Sequence, residues 1–149
     1  MTTPDAPDPG FRSRIETSFA NQAFMTTIGA QFTRIEPGVV AIALDAHRGL
    51  TQQHGFLHGG VIGALLDNVC GFATLSLLRA DQGVLTVEYK VSLLRPGRGD
   101  RFEATGTVIK PGRTLSFCES VVFADGDTAN PIATATATIM TMVGRGVVG

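Results

Sequence analysis

Residues 58–78, HGGVIGALLDNVCGFATLSLL, form an almost entirely apolar stretch that begins at a pair of glycines and predicts one long helix. Because the stretch is apolar nearly all round, we expect this helix to be central and surrounded by the rest of the chain. Its one acid, Asp67, lies in the middle, where a carboxylate is costly unless it is solvated, paired or used in chemistry. The amides of a helix N-terminus attract negative charge. The stretch therefore supplies amide donors for an oxyanion and a carboxylate that can act on a nucleophile, which are two parts of an acyl-transfer site.

Strand patterns lie on both sides of this helix. Residues 30–36 and 39–45 predict two strands around a Pro-Gly turn, and after the helix the apolar period changes to two. In residues 84–94 apolar and polar residues alternate, which predicts a half-buried strand with Thr86 on its polar face. Short turns then connect further strands, so we expect an antiparallel sheet. The fold class is therefore α+β, with about six strands, a short amphipathic helix over residues 11–26, and later strands over 102–108, 115–123 and 131–142.

The composition is that of one globular domain in a reducing compartment. The chain has 149 residues, 44% of them hydrophobic, and a net charge of −1 without a dense basic block, so we expect no nucleic-acid partner. The two cysteines, Cys70 and Cys118, form no disulfide framework, and free thiols in the cytoplasm are the expected state. The helical stretch approaches membrane-span length, but Asp67 and Asn68 lie in its middle, so we expect no membrane span. We expect a disordered leader over residues 1–10, a single domain over 11–142 and a flexible tail over 143–149.

Two short motifs carry a resemblance to a known family. Leu57-His58-Gly59-Gly60 followed by Asp67-Asn68 resembles the hotdog-fold acyl-CoA thioesterases of the phenylacetate-pathway and human thioesterase-superfamily-member type, within the 4-hydroxybenzoyl-CoA thioesterase superfamily. Thr86-Val-Glu-Tyr and the segment KPGRTLSF at residues 110–117 fit the same pattern. The resemblance implies a hotdog fold, in which the sheet wraps around the central helix. It also implies hydrolysis of an acyl-CoA to the free acid and CoA, with no metal or redox cofactor and with coenzyme A entering only as part of the substrate.

The resemblance also implies roles for particular residues. Asp67 is implied as general base or nucleophile, and the amides of Gly59 and Gly60 as oxyanion donors. Gln52 is implied to hold the attacking water or the thioester, although an Asn is more usual there, and Thr86 to support the carboxylate. His58 either shapes the turn before the helix or contacts the substrate directly.

Four cations are concentrated in two Pro-Gly turns. Such residues are usually solvated, but Arg and Lys also bind phosphates, so they are candidates for the phosphates of coenzyme A. Arg113 and Thr114 are the best pair, and the other candidates are Lys110, Arg95 and Arg98.

The spacing of the two catalytic candidates favours a site built from two chains. Gly59 and Asp67 are eight residues apart, or about 12 Å along a helix at 1.5 Å per residue. Reacting atoms must come within about 3–3.5 Å of each other. We therefore expect a two-fold homodimer that brings Gly59 of one chain to Asp67 of the other. The family pattern also implies such a dimer, and further pairing of dimers into a homotetramer.

Other functions remain open at this point. A hotdog hydratase or dehydratase would need a His paired with an acid, and no His follows His58. A non-catalytic acyl-CoA binding protein would need no acid at all, so Asp67 would then be a structural residue and the glycines would serve only packing. His54 and His58 are four residues apart, but Gly55 between them argues against a helical metal pair, so we expect no metal.

Overall fold

The computed structural model describes residues 5–144. Its elements in chain order are α1 (Phe11–Ala20), α2 (Ala23–Ile28), β1 (Gln31–Glu36), β2 (Val39–Asp45), a short 3-10 helix (Arg48–Leu50), α3 (Gly59–Leu75), β3 (Gln82–Leu93), β4 (Arg101–Lys110), β5 (Leu115–Ala124) and β6 (Ala133–Val143). In these described residues the six strands form one antiparallel sheet in the order β1-β2-β4-β5-β6-β3. The α+β class, the strand number and the antiparallel pairing are confirmed. Within the predicted loop before α3, the 3-10 helix and a bridge between Thr51 and Leu57 are additional features.

Helix α3 packs on the inner face of the sheet and contacts β2 to β6. Its inward side chains, among them Leu66 and Val69, meet those of the strands, such as Ile42 and Phe102, in one buried core. At Gly106 of β4 a Cβ would lie 2.5 Å from the carbonyl carbon of Val69, so only glycine lets the helix backbone reach the sheet. The helix is central, as predicted, and one side of it is only partly covered by the described residues. The positions left partly or fully exposed there are Gly60, Val61, Ala64, Asp67, Asn68 and Gly71.

Both ends of α3 differ from the sequence prediction. His58 is the N-cap rather than the first helical residue, and its ring Nδ1 accepts a hydrogen bond from the Gly60 amide. The helix ends at Leu75 rather than Leu78, because the Ser76 hydroxyl donates to the Ala73 carbonyl and accepts from the Gly38 amide. A side chain thereby replaces the backbone partners that a further turn would have supplied.

The N-terminal segment forms two helices where one was predicted. The first ends at Ala20, and Gln22 has extended dihedrals (φ −82°, ψ 93°) that break the chain before α2. The second helix ends at Ile28, and its C-cap Gly29 has the left-handed φ of 73°. Residues 1–4 and 145–149 of the predicted leader and tail lie outside the described residues. Within the described part, Asp8 makes an ion pair with Arg14, whose Nε lies 3.3 Å from Oδ2.

Strand β3 is an edge strand rather than the half-buried strand that its alternation predicted. Thr86 pairs with Ile139 and Glu88 with Thr138, so Val87 is an extra residue that has no partner and forms a bulge. Beyond the bulge the side chains change faces. As a result Thr86 lies on the helix side together with Tyr89, and Leu85 lies on the outer side. Exposed fractions of 56% for Val87 and 47% for Tyr89 show that the edge is apolar and open.

Two predictions about burial and membranes can be compared with the structure directly. Cys70 and Cys118 are both free and buried, as predicted. Between residues 5 and 144, no helix is both long and apolar enough to cross a membrane.

The C-terminus of α3 is held by one side chain of α1. The guanidinium of Arg14 donates to the carbonyls of Leu75, Leu78, Arg79 and Gln82 at distances of 2.6–3.2 Å. The Leu75 carbonyl lies at the negative end of the α3 dipole, and the other three belong to the segment that leads from α3 into β3. The contact therefore ties α1 to the C-terminal end of α3 and to the segment that follows it.

We predict that Arg14→Met, which keeps the apolar stem but removes the donors, lowers the free energy of unfolding by about 2–3 kcal/mol. Urea unfolding at matched protein concentration measures the change. Arg34→Met is the control, because Arg34 makes an exposed ion pair with Glu36, and such surface pairs contribute little to stability. Equal unfolding midpoints for the two variants would contradict the role given to Arg14.

Candidate functional site

In the first turn of α3, the backbone amide of Gly60 is hydrogen-bonded and that of Gly59 is available. The Gly60 N–H donates to Nδ1 of His58 over 2.8 Å, so this ring nitrogen is unprotonated and the His58 side chain caps the helix. A Cβ at Gly60 would lie 3.0 Å from the same nitrogen, which explains the glycine there. For the Gly59 N–H, residues 5–144 provide no acceptor. Of the two predicted oxyanion donors, Gly59 is thus the one whose amide is available, and His58 acts on the turn.

Asp67 and Thr86 are brought together as predicted. The Thr86 hydroxyl donates to Oδ1 of Asp67 over 2.7 Å. The alternation pattern alone placed Thr86 on the opposite face of its strand, and the bulge at Val87 is what turns it toward the helix. Burial of the carboxyl raises the pKa of Asp67 above its ordinary value, and the hydrogen bond from Thr86 lowers it in part. A half-buried carboxylate of raised pKa with one oxygen held in place suits a general base.

Gln52 lies beside the first turn of α3, in the loop that precedes it. Its backbone carbonyl accepts from the Gly55 amide, and its side-chain Oε1 accepts from the His54 amide, so the side chain also caps its own turn. The carboxamide nitrogen is the group left for a ligand. Gln52 lines a groove of about 380 Å³ at the Gly59 amide, and the other lining residues are Phe56, Leu57, Ile62, Leu93, Leu94, Arg95, Pro96 and Gly97.

The predicted coenzyme A contacts fall into two separate groups within one chain. Arg95 lines the groove at Gly59, and its guanidinium donates to the Pro131 carbonyl over 2.9 Å. Lys110 ends β4, nine residues or roughly 30 Å from its start at 3.3 Å per residue, and Arg113 and Thr114 lie in the turn that follows. That end adjoins Asp67 and Thr86 rather than Gly59, because the Thr114 carbonyl accepts from the Thr141 amide and Thr141 pairs with Val84.

Sequence reasoning missed two features of the site. The ring of Phe56 lies under the guanidinium of Arg98, 4.7 Å from ring centroid to Cζ. The one aromatic residue in an otherwise polar loop was the available signal. The second feature is Tyr89, whose hydroxyl would lie 3.8 Å from a Cβ at Gly63, midway between Gly59 and Asp67 on α3. The bulge that turns Tyr89 to this face has no signal in the alternation pattern.

The six-stranded antiparallel sheet with one long helix on its inner face is the hotdog fold, and an available helix N-terminal amide with a carboxylate two turns on suits acyl-transfer chemistry. Comparisons with known proteins agree. The profile of the thioesterase superfamily matches residues 54–129, about half of the chain. The chain belongs to the thioesterase superfamily, and it is a thioester hydrolase. The resemblance stated from the His-Gly-Gly and Asp motifs is confirmed at this level.

Individual relatives extend the likeness over nearly the whole chain. A putative esterase of Halobacterium salinarum is 30% identical and covers 98% of this chain and 95% of its own length. The medium/long-chain acyl-CoA thioesterase YigI of Escherichia coli is 30% identical over 84% of this chain and 73% of its own. A thioesterase family protein from Silicibacter pomeroyi has a solved structure with a TM-score of 0.87 and 44% identity, and it covers 91% of this chain and 100% of its own.

We predict that Thr86→Val moves the acid limb of the pH–rate profile to higher pH. The hydroxyl stabilises the charged carboxylate, so its loss raises the pKa of Asp67 further, and the base is protonated over a wider range. The measurement is kcat/KM for thioester hydrolysis between about pH 4 and pH 9, because carboxyl groups with a raised pKa titrate within roughly this range. Thr107→Val, an exposed threonine of β4, is the matched control. An unmoved acid limb in Thr86→Val would separate Thr86 from the base.

Proposed function

We propose that this thioester hydrolase acts on acyl-CoA, with Gly59 and Asp67 as the two halves of its catalytic site. The observation that carries the proposal is the hydrogen bond between Thr86 and Asp67, which fixes a carboxylate of raised pKa on the same helix as the available Gly59 amide. The names of the relatives support coenzyme A as the thiol part of the substrate.

The chemistry follows from these groups. The thioester carbonyl oxygen accepts from the Gly59 amide at the positive end of α3. Asp67 takes a proton from a water, which attacks the carbonyl carbon, and the negative charge that develops on the oxygen lies at the helix N-terminus. Breaking the C–S bond then releases the acid and the CoA thiolate, which takes the proton held by Asp67 and leaves as the thiol. The bond from Thr86 to Oδ1 leaves Oδ2 available to the water.

A rival acid–base pair of His and Asp finds no support at this site. Nδ1 of His58 accepts from Gly60, and Nδ1 of His47 accepts from Gly49, so both rings serve their own turns. Hydration or dehydration chemistry is therefore not favoured over hydrolysis.

The open edge of β3 supports a site shared by two chains. One end of this strand holds Thr86 against Asp67, and the other end places Leu93 beside Gly59, whose Cβ would lie 3.1 Å from Leu93 Cδ1. If two copies pair antiparallel along β3 with the two-fold axis near Tyr89, Thr86 of one chain lies opposite the partner's Leu93. The Gly59 amide then faces the partner's Asp67, and the roughly 12 Å between them within one chain no longer matters. An unpaired apolar edge strand is otherwise a liability for a protein in solution.

The same pairing unites the two groups of coenzyme A contacts. Arg95 lies at the Gly59 end of β3, and Lys110, Arg113 and Thr114 lie at the Asp67 end, so the dimer brings the two groups to one edge of a continuous sheet. Further pairing into a tetramer is supported by apolar residues that are exposed on the outer sheet face. These residues are Leu85, Ile109, Leu115 and Phe117.

The free buried thiols support a cytoplasmic setting.

We predict that Asp67→Asn folds and binds acyl-CoA but loses at least about 10²-fold in kcat, because the amide takes no proton from water. The amide can still accept from Thr86, and it carries no charge to bury, so the melting temperature should not fall. Asp81→Asn, an exposed acid paired with Arg79, is the control. Turnover near that of the wild type in Asp67→Asn would reject the catalytic assignment.

A mixed dimer tests the shared site. One inactive variant carries Asp67→Asn, and the other carries Gly59→Val, which blocks the donor and needs only a small shift of Leu93. With two-chain sites, each heterodimer has one intact site and one site with both defects, so random mixing gives about a quarter of wild-type activity. With one-chain sites every site stays defective.

The mixed-dimer experiment co-expresses the two variants and verifies heterodimers by native mass before thioester hydrolysis is assayed. The Gly59→Val homodimer is first shown to fold by its melting curve. Verified heterodimers that are no more active than the parent variants would reject the shared site.

A further inference from the structure

Strand β5 directs two buried hydrogen-bond donors at the backbone of α3. The Ser120 hydroxyl donates to the Leu66 carbonyl over 3.1 Å. Two residues earlier on the strand, the Cys118 thiol donates to the Cys70 carbonyl over 3.7 Å. The exposed fractions are 5% for Ser120 and 2% for Cys118, so water does not compete for these bonds. The two acceptors bracket Asp67, because Leu66 precedes it directly and Cys70 follows it by less than one turn.

The spacing of the donors matches the spacing of the acceptors. Alternate residues of a strand are about 6.6 Å apart at 3.3 Å per residue, and carbonyls four residues apart on a helix are separated by about 6 Å. The Thr74 hydroxyl, a further four residues along α3, lies 3.2 Å from the Cys118 sulfur and adds a contact in the same register. A shift of α3 by one residue would move each carbonyl by about 1.5 Å and turn it by about 100°, so both hydrogen bonds would be lost. The pair therefore fixes the translation and the rotation of α3 relative to β5.

Small neighbours on the sheet make this contact possible. Ser120 pairs with Gly106 of β4 on one side and with Ala135 of β6 on the other. Gly106 is the residue whose missing side chain lets the α3 backbone reach the sheet. The Leu66 carbonyl also accepts the helix's own bond from the Cys70 amide, so the Ser120 bond is additional to helix formation. The Ser120 bond thus places the helix rather than completing it.

The side chain that depends on this placement is Asp67. Its carboxyl accepts from Thr86 over 2.7 Å, and Thr86 belongs to β3, which β6 separates from β5 in the sheet. The register of α3 against β5 therefore decides whether the carboxyl reaches a hydroxyl two strands away.

The pKa of Asp67 is a measure of the same contact. Among the described residues, its shift has two causes, which are burial of the carboxyl and the hydrogen bond from Thr86. Glu88 lies on the outer face of the sheet, where it accepts from the Thr138 hydroxyl. The titratable side chains on the elements around Asp67 are Cys70 on α3, Cys118 on β5, and Glu88 and Tyr89 on β3.

We infer that Ser120 is a positioning residue for Asp67: its hydrogen bond to the Leu66 carbonyl, together with that of Cys118 one turn on, holds α3 in the register in which the carboxyl meets Thr86. The inference rests on the proposed function, in which Asp67 is the general base. Ser120 is buried between helix and sheet, so it acts through the helix backbone and not by contact with the substrate.

The test compares Ser120→Ala with Ser116→Ala. Ser116 is a buried serine on the same face of β5, but its hydroxyl accepts from the Gly112 amide and not from α3. Both changes remove one buried hydroxyl, so Ser116→Ala controls for a general loss of stability. We expect Ser120→Ala alone to lower kcat roughly two- to tenfold with KM unchanged, the scale of one lost hydrogen bond.

Ser120→Ala should also move the acid limb of the kcat/KM profile to higher pH, because a weaker bond from Thr86 raises the pKa of Asp67 further. Cys118→Ala removes the weaker donor and should move the limb in the same direction by less. It supplies the comparison if Ser120→Ala does not fold.

A double-mutant cycle shows whether Ser120 acts through Thr86. In a Thr86→Val background, Ser120→Ala should move the acid limb no further, because the contact that it places is already gone. An additive shift, an equal shift in Ser116→Ala, or no shift in either Ser120→Ala or Cys118→Ala overturns the inference. Titration of the Asp67 carboxyl carbon by NMR makes the same comparison without substrate. Failure of the wild-type enzyme to hydrolyse acyl-CoA would therefore remove the proposed function, while the NMR titration still decides the role of Ser120.

Discussion

The contact between Gly106 and the backbone of α3 is the constraint on which the site depends. A Cβ there would lie 2.5 Å from a carbonyl carbon of the helix, so the helix is seated on the sheet with no side chain between them. Arg14 fixes the far end of the same helix by four hydrogen bonds to backbone carbonyls. A helix held at its middle and its end cannot bend Asp67 toward Gly59. Gly59 and Asp67 therefore keep their separation of about 12 Å within one chain, and this separation is the reason for proposing that a second chain completes the site.

The same seating sets the chemical character of Asp67. The carboxyl is drawn partly out of water by the helix and β3, and this burial raises its pKa, while a single hydroxyl limits the rise. A carboxylate with an ordinary pKa would be a weak base toward water, and a fully buried one would stay protonated at neutral pH. The intermediate position depends on Thr86, and Thr86 reaches it only because Val87 is an extra residue in the strand. A bulge in an edge strand thus changes the pKa of a carboxyl group on a helix.

Structural features that depend on neighbouring residues were predicted from the sequence more accurately than those that depend on distant contacts. The helix, its cap region and the two Pro-Gly turns follow from nearby residues, and their positions were predicted to within about three residues. The break at Gln22 and the end of α3 at Ser76 were missed, because they depend on side-chain hydrogen bonds that compete with a helical pattern. The placement of Thr86 was right only through resemblance to a family. The alternation of apolar and polar residues predicted the wrong face for Thr86, because such a prediction assumes a strand without a bulge.

The apolar edge of β3 explains why burial was the least predictable property. Its side chains have the composition of a core strand, and within a single chain they lie exposed, at 56% for Val87 and 58% for Leu93. An alternating apolar pattern indicates that one face of a strand is buried. It does not indicate whether that face is buried by the same chain or by another copy. In a dimer paired along β3, the residues that cover the edge are the residues that bring Gly59 to the partner's Asp67. Stability and catalysis then make the same demand on this strand, because the surface that must be buried is the surface that completes the active site.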